Sequence, residues 1–199
     1  MTSPVWVVVG IAIVAVATVI AWWRNRKRAH PFLSIALFLT RRRSIDDVAL
    51  RQAAETAWNV RFSDAKDATE YAVGSPPVFM ASAHGCIFLV NALDRNYYGA
   101  GPEPDPDAPP GIPAHVAFLS VDFLKSDGPR TDVELYRMIG RLVDALLGED
   151  CAALFLPPSR RLLALDTPEH VALVREALRA DDVLGELSRL MAEPAASAA

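Results

Sequence analysis

Three short stretches hold side chains that could do chemistry. His115 and Asp122 pair a general base with an acid able to orient it. In an uninterrupted strand they are seven residues apart, an odd spacing. Their side chains are then expected on opposite faces, which argues against a direct dyad. His84-Gly85-Cys86 places two metal-type ligands two residues apart. A tight turn at His84-Gly85 would aim them in different directions, and zinc would need further ligands that a chain with four histidines and two cysteines hardly supplies. A turn histidine beside a core cysteine is the simpler reading, and no metal site or cofactor is expected. Asp94-Arg-Asn-Tyr-Tyr98 is a polar, aromatic loop entry. Loops held by a sheet often carry function, so Asp94, Tyr97, Tyr98 and His115 form the expected binding surface, although the tyrosines could equally pack the loop down.

No CxxC, HExxH, GxGxxG, GxxxxGK[ST] or GxSxG pattern occurs, and the catalytic residues, if any, are unknown. Two functional readings follow. One is a non-catalytic domain that binds a protein or a small ligand. The other is a hydrolase using His115 with Asp94 or Cys86, brought together from separate strands.

The segment Pro4 to Trp23, PVWVVVGIAIVAVATVIAWW, has no charge and tryptophans near both ends. At about 1.5 Å per helical residue it reaches roughly 30 Å, the thickness of a bilayer core. Arg24, Arg26, Lys27 and Arg28 follow at once, whereas no basic residue precedes the apolar run, the reverse of a signal peptide. The positive-inside rule keeps that cluster in the cytoplasm. The expected topology is a single-pass anchor in the cytoplasmic membrane over 1–28, the N-terminus outside, a cytosolic domain over 29–192, and a disordered tail over 193–199.

Seven basic residues, including Arg41, Arg42 and Arg43, precede the first acid, Asp46; removing them from the 20 leaves 13 against 24 acidic ones. Such an acidic body does not suit nucleic acid. The expected partner of the basic cluster is the lipid bilayer, and Arg41–Arg43 is read as part of that lipid-facing patch. Oligomeric state is not encoded in any pattern; no GxxxG is present. Cys86 and Cys151 are expected to be reduced and buried.

The elements that would position these residues are legible from periodicity and punctuation. Ser34–Thr40 reads as a central strand, being almost continuously apolar. Ser44 is expected to cap a helix running to about Trp58, with Ile45, Val48, Ala49, Ala53 and Ala57 on one face. Tyr71–Val73 reads as a short strand, and 78–83 and 86–91 as a hairpin about His84-Gly85. The proline-dense 101–113 segment reads as an exposed loop, and 114–124 as a strand. Thr131-Asp-Val-Glu134 is a capping box ahead of Leu135, Met138, Ile139, Leu142, Val143 and Leu146. Cys151–Leu156 reads as a strand, Arg160-Arg161 as a solvated turn, and Thr167-Pro168 as the start of a last helix broken near Asp181-Asp182. The fold expected is α+β: a two-layer sandwich with helices on one face of a mainly antiparallel sheet, ferredoxin-like with an extra strand.

His115-x-Ala-Phe-Leu-Ser-Val-Asp122, Tyr136-x-x-Ile-Gly-x-Leu142 and Asp150-Cys-x-Ala-Leu154 with Pro157 resemble uncharacterised bacterial membrane-anchored proteins grouped as domains of unknown function. The resemblance spans about 34–190. It implies an α/β domain and no known reaction.

Overall fold

A computed structural model describes residues 32–65, 68–99 and 108–192. The apolar segment 4–23, the cluster Arg24 to Arg28, most of the proline-rich loop and the tail 193–199 lie outside the described residues. Among those described, no helix is long and apolar enough to cross a membrane.

Over the described residues the fold is α+β, with a seven-stranded sheet and four helices. In chain order the elements are β1 (Ser34–Leu39), α1 (Asp47–Trp58), β2 (Tyr71–Ser75), β3 (Val78–Ala83) and β4 (Cys86–Leu93), followed by β5 (Ala117–Ser126), α2 (Asp132–Leu146), β6 (Cys151–Leu156), β7 (Arg161–Ala164), α3 (Pro168–Arg179) and α4 (Val183–Leu190). The sheet order is β2-β3-β4-β5-β1-β6-β7, and every neighbouring pair is antiparallel. β1 is buried along its whole length between β5 and β6, as a strand without a polar face must be.

Local signals place most elements. Thr131 Oγ1 accepts from the Glu134 amide, and the Glu134 carboxylate accepts in return from the Thr131 amide; this capping box contributes about 1 kcal/mol to starting α2. Leu135, Ile139, Leu142, Val143 and Leu146 then form its buried stripe. Thr167 caps α3 with Pro168 in its first turn, and Asp182 caps α4, so the break expected near Asp181-Asp182 is where one helix ends and the next begins. His84 and Gly85 take positive φ of 52° and 72°, the two-residue turn that matches strand twist, and Ala83 pairs with Cys86 across it.

Several expectations are corrected. α1 starts later than Ser44: Asp46 is the cap, accepting from the Ala49 amide at 2.7 Å. Its buried face is Leu50, Ala54 and Trp58, with Ala53 and Ala57 beside it, while Val48 is 62% exposed. Two weakly apolar stripes share this helix, and the one carrying Trp58 wins because the indole buries more area; its Nε1 also donates to the Met138 carbonyl at 2.9 Å. Arg160-Arg161 is more than a turn. Arg160 occupies the left-handed region, and Arg161 opens β7, which pairs with β6. β5 begins at Ala117 rather than Ala114.

Arg43 is not a free member of an exposed basic patch. Its guanidinium is clasped to the carboxylate of Asp150 and donates to the Leu146 carbonyl. Asp150 is 6% exposed, and Thr40 reaches its carbonyl as well, so the segment after β1 is pinned to the α2–β6 connection. Burying a charged carboxylate is costly unless it is paired or hydrogen-bonded, and pairing with Asp150 outranks solvation of Arg43. Arg41 and Arg42 are exposed at the same end of β1, the end opposite the one where the chain enters at Ser34.

The four helices pack their apolar stripes on one face of the sheet, forming the main core with Leu37, Phe88, Val121 and Leu154. The opposite face carries a second, smaller cluster, and the residues expected to form a site lie there.

Candidate functional site

Phe38 of β1, Phe118 of β5 and Phe155 of β6 point away from the helices, together with Ala36 and Ala153. The segments on either side of the proline-rich loop fold over them. Tyr97 places its ring 4.8 Å from Phe118 and 5.4 Å from both Phe38 and Phe155. Tyr98 packs edge-on against Phe155 at 5.7 Å and Tyr97 at 5.0 Å. The imidazole of His115 stacks on Phe38.

His115 is 6% exposed and both ring nitrogens are committed to the backbone. Nε2 accepts from the Tyr97 amide at 3.0 Å, and Nδ1 donates to the Pro113 carbonyl at 2.9 Å. An amide only donates and a carbonyl only accepts, so the ring is neutral with its proton on Nδ1. The lone pair that a general base would use is already occupied. His115 therefore clips the entry and the exit of the 94–116 segment to the centre of the sheet.

His115 lies on the same side of the sheet as Asp122, against the odd-spacing expectation. Residues 112–115 are irregular and β5 starts only at Ala117, so strand alternation does not reach back to His115. Asp94 is exposed just beyond β4, and no hydrogen bond joins it to His115 among the described residues. Cys86 is the first residue of β4, eight residues before Asp94, or roughly 26 Å along a strand. It faces the helices, is fully buried, and burial pushes its thiol up, away from the thiolate. Cys86 and His115 thus sit on opposite faces. Both cysteines are free and buried. His84 turns its Nε2 to the Trp58 carbonyl at 3.0 Å, holding the β3–β4 turn against the end of α1. Among the described residues no group of three His, Cys, Asp or Glu could hold a metal ion.

A polar cluster lies on the same face as His115. Asp122 faces Ser34 directly across the β1–β5 ladder and accepts from its hydroxyl. It also accepts from Asn91 Nδ2 at 2.6 Å and Ser120 Oγ at 3.0 Å. Desolvation raises the Asp122 pKa, and the three donors offset part of that rise. Tyr97 is near enough to feel it: burial first, then the Asp122 charge, raises the phenol. Ser34, Asn91 and Ser120 were not singled out by sequence. The available signal was polar residues inside otherwise apolar strands, but Ser34 and Asn91 are 88 and 31 residues from Asp122, so their convergence has no local trace. A carboxylate is too weak a base to ionise a serine unaided, so the cluster holds strands in register rather than activating a nucleophile.

No protein-family profile, curated protein or solved structure matches this chain.

Proposed function

We propose that this chain is a membrane-tethered domain that binds a protein or small ligand without catalysing a reaction, through the turn that leaves β4. The observation that carries this reading is the double backbone engagement of His115, which spends its imidazole on fixing the Tyr97 amide. Tyr97 and Tyr98 anchor the turn, Asn96 Oδ1 accepts from the Tyr98 amide at 3.0 Å, and Asp94, Arg95 and Asn96 are left exposed on a fixed backbone. A preorganised turn binds with little ordering cost. The contact residues are then Asp94 and Arg95, with the half-exposed edges of Tyr97 and Tyr98, and His115 is a positioning residue.

Residues 4–23 supply the tether in this reading, with Arg24 to Arg28 on the cytoplasmic side of the cytoplasmic membrane. A ferredoxin-like plait, extended by the β2–β3 hairpin and by β7, is supported by the order β4-β5-β1-β6 with α1 after β1 and α2 after β5. Kinship with membrane-anchored domains of unknown function is proposed on the motifs quoted above.

The test is comparative capture from native membranes with the full-length chain. Asp94→Ala combined with Arg95→Ala should lose a partner that the parent retains, with both proteins folded by circular dichroism. Equal capture by both would reject the turn as the binding surface. A turnover that disappears with His115→Ala in a folded protein would replace binding by catalysis. A reporter fused after Ala199 should be active only in the cytoplasm; activity outside would reject the topology.

A further inference from the structure

Helices α1, α2 and α3 border a cleft of about 350 Å³ on the helical side of the sheet, remote from the turn discussed above. Its lining repeats at helical spacing. Thr56 comes from α1, Arg141 and Asp144 from α2, and Arg175 and Arg179 from α3; two alanines, Ala57 and Ala145, keep it open. Three guanidinium groups thus line a cleft that holds one carboxylate.

The roles of these arginines differ. Arg175 donates to Asp144 Oδ1 at 2.7 Å, to the Asp144 carbonyl at 3.0 Å and to the Leu147 carbonyl at 2.6 Å. It closes the C-terminal end of α2, a structural task. Arg179 gives only its Nε to Asp144 Oδ2, at 2.6 Å, and keeps its terminal nitrogens unused among the described residues. Arg141 is exposed and forms no ion pair or hydrogen bond among the described residues. Asp144, 9% exposed, fixes two of the three cations but neutralises one charge. Capping accounts for Arg175 and the Asp144 carboxylate holds Arg179 by one nitrogen, but Arg141 has no such partner among the described residues, in a chain of net charge −4.

We propose that this cleft binds a phosphate group, held by Arg141 and the free edge of Arg179, with Asp144 and Arg175 positioning Arg179. Three positive charges against one negative leave an excess of two, which matches the roughly −1.5 to −2 charge of a phosphate monoester near neutral pH. The planar guanidinium fork suits paired phosphate oxygens better than a halide, and the excess of two charges favours a phosphate over a single carboxylate. The phosphate can belong to a soluble metabolite or to a lipid headgroup. The site is independent of the β4 turn, so failure of either proposal leaves the other standing.

The experiment titrates inorganic phosphate into the full-length protein held in neutral phosphatidylcholine nanodiscs, read by isothermal calorimetry. A second arm replaces part of the lipid with phosphatidic acid and reads protection of the cleft by hydrogen exchange. Saturable phosphate binding that Arg141→Gln and Arg179→Gln each weaken by about tenfold or more, with Arg61→Gln unchanged, is the expected result. Protection that needs Arg141 only in the phosphatidic acid discs assigns the phosphate to lipid and still supports the site. Because Arg141 is exposed, its variant should keep the parent's thermal midpoint. Binding indifferent to Arg141→Gln in both arms would overturn the proposal.

Discussion

The imidazole of His115 lies flat on the ring of Phe38, with centroids 4.3 Å apart and planes 7° apart. The histidine belongs to the stretch before β5 and the phenylalanine to β1, an interior strand of the sheet, so one stacked pair ties the cover to the scaffold. With two backbone hydrogen bonds on the same ring, the pair makes His115 a clamp.

That geometry predicts the effect of His115→Ala. Losing an aromatic stack and two partly buried hydrogen bonds should cost about 2–4 kcal/mol. The Tyr97 amide, now held by Nε2, should exchange with solvent faster than its neighbours in β4. An unchanged denaturation midpoint together with unchanged Tyr97 protection would show that the clamp carries no load.

Asp122 predicts a pH dependence of known sign. Its folded pKa is raised by desolvation above the ordinary aspartate value of about 3.9. The native state therefore binds the proton more tightly than the unfolded chain does. Its contribution is fully present below the unfolded pKa and is lost as pH rises through the raised folded value. Glu134 and Asp166, whose pKa values are lowered by hydrogen bonds from Thr131 and His170 respectively, act in the opposite direction. The difference between the parent and Asp122→Asn isolates the Asp122 term. The substitution should gain stability relative to the parent as pH rises from 4 to 7 (roughly the carboxylate range). A flat difference over that range would contradict the burial of a charged carboxylate here.

Gly140 offers a test of helix packing against helix propensity. In an exposed helix interior, glycine to alanine gains about 1 kcal/mol. A Cβ at 140 would lie 2.7 Å from the Leu178 carbonyl oxygen and 3.0 Å from a Val183 methyl. Backbone cannot yield as a side-chain tip does, so Gly140→Ala should destabilise, by about 1–3 kcal/mol for an overpacked site. A raised thermal midpoint would mean that α3 can withdraw from α2 at no cost.

Leu142 and Arg141 are neighbours on α2 with opposite surroundings, the first fully buried and the second exposed. Leu142→Ala should cost about 2–5 kcal/mol and Arg141→Ala under about 0.5 kcal/mol in the absence of ligand. Chemical denaturation of both variants in mild detergent checks this; equal midpoints would misplace the buried stripe.

Where the information for an element is local, the sequence alone determined it. Five successive apolar residues in β1 can only sit inside a sheet, Thr131 and Glu134 satisfy the first amides of α2 reciprocally, and His84-Gly85 supplies the positive φ that a two-residue turn demands. Within α1, however, the face expected to be buried carried Val48 and left out Leu50, and only contact with α2 and the sheet chose Leu50, Ala54 and Trp58. Likewise, nothing near Arg43 in sequence announces Asp150, 107 residues away, whose burial draws it off the surface. His115 reached the aromatic face because the chain before β5 leaves strand geometry, which breaks the alternation from which its side was inferred. The cluster on Asp122 and the cleft with Arg141, Arg175 and Arg179 both join side chains from three different elements. Periodicity reports which face of an element is apolar; which polar residues meet across elements is set by strand order and helix docking, and these exist only once the chain has closed on itself.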